Sequence, residues 1–500
     1  MGSAGPLEVL DGWWDPRASL LADPTWAAGP HDHHVRETCW YALGLLSRAA
    51  DGGATADVDR AVAALGAVLD QQWDDPAVPW HGTWRRSPAE PDPSPEHARE
   101  WRDYDPNWRE FIGCTLLQVV AAHAGVLPPA LLSRIDAALV LAATGTSARR
   151  VDPGYSNIAL MAAFLLHAVG RRTGNAAWDE QGLHLAGEVF DRFEEHGTFE
   201  EYNSPTYYGI DLYGLALWRR HGLDPATTAR AAAVELALWD EIARHYHAGL
   251  ANMVGPYDRS YGMDLQEYAS GVGVWIWSVV GRERAPFPDH TGPIGHHRDL
   301  ALAPLVAALG APDLPARTRA ALETFDGPRA TRQVITARRV ATTVLQPHLM
   351  VGAEDVGGDR GRLDGQFHPL TAHWRPEEPG PVGWFRLVSD LTIDAAAHPT
   401  AEPDSATATL RWTGAGTVRF QVRPGGSAGP EPSAPEPSGA TTAAIDLTAR
   451  SWRLPSLLVR VTTSARLREV TRSHDGTWWV AYDTDGPGEA RLDLARRPST

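Results

Sequence analysis

The sequence predicts an α+β chain in two parts: an N-terminal (α/α) toroid, or incomplete barrel, over residues 1–325 and a C-terminal antiparallel β-sandwich over residues 326–500. Three observations predict it. From about residue 35 to about residue 325, apolar residues recur with helical period, in stretches separated by short Gly/Pro/Asp segments such as Gly222–Pro225. After about residue 326 the texture turns to alternating Val, Thr and aromatic residues with turn residues between them. The chain has 500 residues and is 43% hydrophobic, too long for one ordinary core and too apolar for global disorder.

Taken in order, the helical pattern predicts helices over 35–50, 57–72, 107–124, 129–144, 156–171, 176–195, 207–221, 225–246, 264–281, 298–309 and 315–324, with Asp57 and Asp224 as caps. Short links make neighbours antiparallel hairpins, which form a bundle, a solenoid or a closed toroid. No fixed-period repeat is present, which weakens the solenoid. The strand pattern falls in RQVITARRVATTVLQPHLMVG, ATATLRWTGAGTVRFQVRP, SWRLPSLLVRVTTSARLREVTRS and GTWWVAYDTD. Residues 425–440, GGSAGPEPSAPEPSGA, read as a Pro/Ser/Gly loop.

Composition narrows the function. With 45 Lys and Arg against 62 Asp and Glu, the net charge is −17, which argues against nucleic acid or an anionic membrane as partner. It leaves room for a local arginine cluster and an anionic ligand. The two cysteines, Cys39 and Cys114, lie in apolar helical stretches and read as free thiols. The first residues lack a basic n-region followed by an apolar h-region, and no apolar run reaches the roughly 18 residues of a membrane span, so a cytoplasmic location is expected. The 20 tryptophans against five methionines supply core bulk and, where exposed, flat platforms for ligands.

The densest polar segment is FEEYNSPTYYGIDLY, residues 199–213, which gathers Glu200, Glu201, Tyr202, Asn203, Tyr207, Tyr208 and Asp211 on a loop opening a helix. Asn157, in DPGYSNIALM, starts an apolar helix, where it also suits a first-turn or cap position. GLANMVGPYDRSYGMDLQEY, residues 249–268, carries Tyr257, Asp258, Arg259 and Tyr261. In a toroid, alternate loops open on one face, so these segments are expected to converge on one cleft. An aromatic and basic region gathers Trp80, His81, Trp84, Arg85 and Arg86 with Trp101, Tyr104, Asp105, Asn107, Trp108, Arg109 and Glu110, where rings suit sugar faces and guanidinium groups suit carboxylates. The same residues also serve Trp/Arg packing. His368 and His373, in GQFHPLTAHWRPE, stand at the start of the strand-rich part. His31, Asp32, His33 and His34 do not form a defined zinc motif, and no metal or cofactor is expected. No P-loop, GxSxG, HExxH or dinucleotide fingerprint occurs.

The pattern resembles the α/α-toroid polysaccharide lyases, the heparinase II/III-like and alginate or chondroitin lyase-like superfamily. The resemblance spans the whole chain in architecture and rests at residue level on Asn157, the Asn203–Tyr208 loop, the Tyr257–Tyr261 loop and His368. It implies β-elimination on a uronic-acid oligosaccharide or polysaccharide. Asn157 and Asn203 then neutralise the carboxylate, Tyr207 (or Tyr208) exchanges protons with its pKa lowered by Arg259, and His368 assists. Trp84, Arg85, Tyr104, Trp108, Arg109, Glu201, Tyr257, Tyr261 and His373 bind substrate. The histidine that commonly adjoins the Asn or precedes the Tyr is missing here, and His196 is the nearest imidazole. Two rival readings remain: an (α/α)-barrel glycoside hydrolase using Asp105 and Glu201, and a non-catalytic glycan-binding protein.

Overall fold

A helix with apolar neighbours on both sides must be apolar all round, and one that packs on a single side needs only a stripe. The two kinds alternate along the first part of this chain. The computed structural model describes residues 6–22, 33–52, 55–288, 295–358, 365–377, 380–425 and 445–497. Twelve α-helices form among them: α1 (Pro6–Asp11), α2 (Val35–Ala50), α3 (Thr55–Leu69), α4 (Trp108–His123), α5 (Pro129–Arg149), α6 (Ser156–Thr173), α7 (Ala176–His196), α8 (Tyr208–His221), α9 (Pro225–His245), α10 (Gly271–Val280), α11 (Ala303–Leu309) and α12 (Ala316–Glu323). Helix α6 is buried from Ser156 through Gly170. Helix α7 buries only the stripe Gly182, Leu185, Ala186, Val189, Phe190 and Phe193.

Helices α2, α4, α6, α8, α10 and α11 form the inner ring, each against the next, and α11 returns onto α2. Helices α3, α5, α7, α9 and α12 back them from outside. This is the expected toroid. The alternation of inner and outer helices makes α4, α6 and α8 run in one direction, so the segments before them open at one end. At that end α8 and α10 touch: a Cβ on Gly209 would come within 2.2 Å of the Gly271 carbonyl carbon. Only glycine permits that approach, and it brings the loops around 203–207 and 259–270 together.

Most expected helices stand within a few residues of their predicted bounds. The helix expected over 264–281 begins only at Gly271, because residues before it bond locally. The Asp264 carboxylate accepts from the Gln266 amide at 2.9 Å and from Asn252 Nδ2 at 2.9 Å, and the Ser270 hydroxyl caps the Gly273 amide at 3.0 Å. Asp224 caps α9, accepting from the Thr227 amide at 2.8 Å. Asp57 does not cap: α3 starts earlier, and its carboxylate binds the Arg48 guanidinium instead.

The second part holds two antiparallel sheets. The eight-stranded sheet runs from Arg466–Arg472 through Trp478–Thr484, Gly416–Arg423, Gly383–Ser389, Leu370–Trp374, Leu349–Asp355 and Val340–Gln346 to Arg329–Val334. The six-stranded sheet runs from Ile393–Pro399 through Ser405–Trp412, Gly488–Arg496, Leu457–Thr463 and Ser451–Leu454 to Asp446–Leu447. One apolar core fills the space between them, with Val351, Phe385 and Phe420 from the first sheet and Leu410, Val459 and Leu492 from the second. Leu370–Trp374 is buried along its whole length, which hid it from an alternating pattern. Its outer side faces the helical part. Leu250 and Val254 pack there on Leu345, Met350 and Val382, and the backbone of Gly255 lies directly over Gly352. His31, Asp32 and all but the first residue of the expected loop at 425–440 lie outside the described residues. Among the described residues no helix is long and apolar enough to cross a membrane, and no cluster of three or more potential metal ligands forms.

Candidate active site

The open end of the ring holds a cleft of about 1170 Å³, lined by the segments that precede α4, α6, α8 and α10. Of the residues singled out in the sequence, Arg86, Trp101, Asp105, Asn107, Trp108, Glu201, Tyr207, Arg259 and Tyr261 line it. Six arginines (Arg36, Arg86, Arg149, Arg150, Arg259 and Arg298) face six carboxylates (Glu37, Glu100, Asp105, Asp152, Glu201 and Asp299), so the cleft is balanced within a chain of net charge −17. An anion therefore meets less repulsion here than over the surface as a whole.

Arg259 organises the centre. Its Nη2 donates to the Tyr207 hydroxyl at 2.8 Å, its Nη1 to Glu201 Oε1 at 3.0 Å and its Nε to Gln366 Oε1 at 3.1 Å. The guanidinium carbon lies 4.0 Å from the Tyr207 ring centroid. The Tyr207 and Tyr261 hydroxyls are 2.5 Å apart, and the Tyr261 ring stacks on His296 at 4.1 Å between centroids. Behind this row, Asn157 Nδ2 donates to Glu201 Oε2. From the segments before α4 and α6, Asn107 donates to the Tyr155 hydroxyl at 3.1 Å and accepts from Arg149 at 2.7 Å.

The electrostatics follow from burial. Burial pushes the Glu201 carboxyl up to about 7 against the opposing Arg259. Burial also raises the Asp105 carboxyl, opposed by Arg36, Arg86 and Arg149. The Tyr207 phenol is held well above its ordinary range, first by burial and then by Tyr261, with Arg259 pulling the other way. This corrects the expectation of a phenol lowered by Arg259: at neutral pH Tyr207 carries its proton. Burial lowers the His296 imidazole, which leaves it neutral and able to accept a proton.

Several expected site residues lie elsewhere. Asn157 is fully buried and meets Glu201 rather than the cleft. Asn203, at φ +51, donates to the Val254 and Pro256 carbonyls at 2.7 and 2.9 Å, tying two loops together. Tyr208 is buried with its hydroxyl on Glu241 at 3.0 Å. His368 is buried, pairs backbone to backbone with Tyr257 and receives Arg386 at 2.9 Å. The strand-rich part instead lends Gln366 to the cleft. Tyr257 and His373 are buried against the Met253 and Met263 carbonyls. Trp84 is in the helical core, and Tyr104 packs on Trp80 at 5.4 Å. Arg85 pairs with Asp92, and Arg109 is buried on the His81 and Pro79 carbonyls. His196 pairs with Glu195 at 3.6 Å, outside the cleft. Most of these residue types fit a buried polar or packing role as well as a functional one, while Arg85 pairs at the surface.

Sequence reasoning missed His296, Tyr155, Arg36 and Arg298, which all line the cleft. His296 belongs to a segment without periodicity, while Arg298 and Arg36 open predicted helices whose pattern reads as packing. The aromatic enrichment around Trp108 was the available signal for Arg36, whose guanidinium lies 5.5 Å from that ring.

Residues 4–311 match a family model described as "Domain of unknown function (DUF8769)", and the chain belongs to that family. No curated protein sequence matches it. Among solved structures the chain is similar to heparinase III, at 8% identity over 95% of this chain and 79% of that one, with a TM-score of 0.47. It is also similar to a heparan sulfate lyase mutant from Pedobacter heparinus, at 11% identity over 93% and 77% with a TM-score of 0.36. Endoglucanase CelQ from Clostridium thermocellum, complexed with cellobiose and cellotriose, aligns at 11% identity over 93% and 84% with a TM-score of 0.24.

Proposed function

We propose that this member of the DUF8769 family is a lyase that cleaves uronic-acid-containing oligosaccharides by β-elimination. The observation that carries the reading is Tyr207 in the cleft, protonated and fixed by Arg259 and Tyr261, beside the Glu201 carboxyl poised near neutrality. Elimination needs three things: relief of the uronate charge, a base for the C5 proton and an acid for the leaving oxygen. With Glu201 protonated, the Arg259–Glu201 pair carries net positive charge toward the cleft and stabilises the enolate-like charge that develops on the carboxylate. Asn157 positions Glu201 from behind. The neutral His296 imidazole takes the C5 proton, the C4–O bond breaks, and the Tyr207 phenol protonates the departing oxygen. His296 returns its proton to Tyr207 through solvent in the cleft.

A panel of hexuronic-acid oligosaccharides, followed by ultraviolet absorbance of the conjugated double bond, tests this. At least one member must give an unsaturated product that Tyr207→Phe does not; a broad panel without one defeats the proposal. A second reading is favoured by a specific pair. Asp105 and Glu201 both have raised carboxyls and share the cleft, as a glycoside hydrolase requires. Cleavage without absorbance, abolished by Asp105→Asn, identifies it.

A further inference from the structure

Two cleft residues have no part in that reaction, and both adopt the left-handed backbone region that L side chains rarely occupy. Trp101 has φ +61 and is 56% exposed. Arg150 has φ +52 at the C-cap of α5, a position where glycine is the usual occupant. Strained non-glycine residues of this kind persist where the surroundings hold them, and they cluster at ligand sites.

The loop is built to hold the indole out. The Trp101 amide donates to the Tyr104 carbonyl at 2.7 Å, and the Arg86 guanidinium grips the Trp101 and Arg102 carbonyls at 3.2 and 2.9 Å. The Trp101 ring makes no aromatic or cation–π contact among the described residues, and the Arg150 guanidinium has no hydrogen bond or ion pair among them. Its neighbour Arg149 is committed to Asn107. The backbone of each residue thus serves the fold, while the indole and the guanidinium are engaged by no other side chain among the described residues.

We propose that Trp101 and Arg150 form a subsite for a second acidic sugar unit, apart from the reacting one. The indole stacks on the apolar face of the ring, and the guanidinium pairs with its carboxylate or sulfate. The substrate class rests on the glycan reading above, but not on its reaction. The cleft, at about 1170 Å³, exceeds the roughly 300–1,000 Å³ of a pocket for one drug-sized ligand, which leaves space for more than one ring. Both residues sit on the wall built by the segments before α4 and after α5, whereas Tyr207 belongs to the wall before α8.

Calorimetric binding to the Tyr207→Phe protein tests the subsite without turnover. The probes are a hexuronic-acid dimer, the corresponding tetramer and neutral cellotetraose. The tetramer is expected to bind more tightly than the dimer. Arg150→Gly and Trp101→Ala should each weaken the tetramer about tenfold, the scale of a lost hydrogen bond to a charged group or a lost stacked ring, and leave the dimer unchanged. Glycine also relieves the positive φ, so Arg150→Gly should melt no lower than its parent and lost affinity cannot be ascribed to misfolding. The proposal is overturned if the tetramer gains nothing over the dimer, if Arg150→Gly leaves it untouched, if cellotetraose binds as well as the acidic tetramer, or if no acidic oligomer binds. If the tetramer behaves as expected while the wild-type protein yields no unsaturated product, the subsite stands and the elimination chemistry fails separately.

Discussion

Glu201→Gln isolates the electrostatics on which the site depends. The carboxyl stands at about 7 in the fold against an ordinary 4.5, because burial outweighs the help of Arg259 and Asn157. A carboxyl raised in this way stabilises the fold fully below its unfolded value and loses that contribution as pH rises through the folded one. The two values imply a loss of about 2.5 kcal/mol between about pH 5 and about pH 8, from 1.36 kcal/mol per unit. Glutamine has no such titration. It keeps the Arg259 contact through its carbonyl, and its amide can donate to Asn157 once the Asn157 amide turns over to present Oδ1, a buried atom without a hydrogen-bond partner, in place of the Nδ2 that now donates to Glu201. The assay is the urea-unfolding transition of the helical signal, followed by circular dichroism at both pH values for both proteins. The wild type should lose about 2.5 kcal/mol more than the variant on going to the higher pH. An equal pH dependence in the two proteins refutes the reasoning, because it means that Glu201 is ionised in the fold like any surface carboxylate.

Tyr207→Phe should lower kcat on a cleaved uronate oligosaccharide by about 10²–10⁴-fold, the usual worth of a proton donor, while the melting temperature moves little. His296→Gln should depress kcat and remove the acidic limb of the pH–rate profile, since the limb reports protonation of an imidazole held below its ordinary value. The alkaline limb should belong to Glu201 and lie near 7, and Glu201→Gln should abolish it. Asn203→Ala should cost about 1–3 kcal/mol of stability, read as a lowered melting temperature, because the Val254 and Pro256 carbonyls lose their buried donor.

The toroid and its direction were legible because helical period survives in both inner and outer helices, and because short links force antiparallel neighbours. Helix α10 was overextended where Asp264, Asn252 and Ser270 satisfy the backbone locally, a competition that hydrophobic period does not register. At the site, Glu201, Tyr207, Arg259 and Tyr261 come from the polar and aromatic loops that the sequence singles out, and they lie together in the cleft. Asn157 and Asn203 had the right chemistry in the right segments, but each amide is consumed by a buried partner. Whether such a side chain points into a cleft or behind it depends on a rotation that sequence does not encode. His368 shows the same limit at the junction of the two parts: Gln366, two residues earlier, meets Arg259, whereas His368 is drawn to Tyr257 and Arg386. His296 enters the cleft only because the segment between α10 and α11 packs on α2, a contact between residues some 250 positions apart.

The most direct test of the central claim is the mass of the products formed from a hexuronic-acid tetramer in water enriched with heavy oxygen. β-Elimination breaks the C4–O bond without adding water. The wild-type protein should therefore give a fragment lighter than the hydrolytic one by one water, with no heavy oxygen fixed at the new reducing end during cleavage. A fragment that gains one heavy oxygen and no double bond contradicts the account and assigns the cleft to hydrolysis through Asp105 and Glu201.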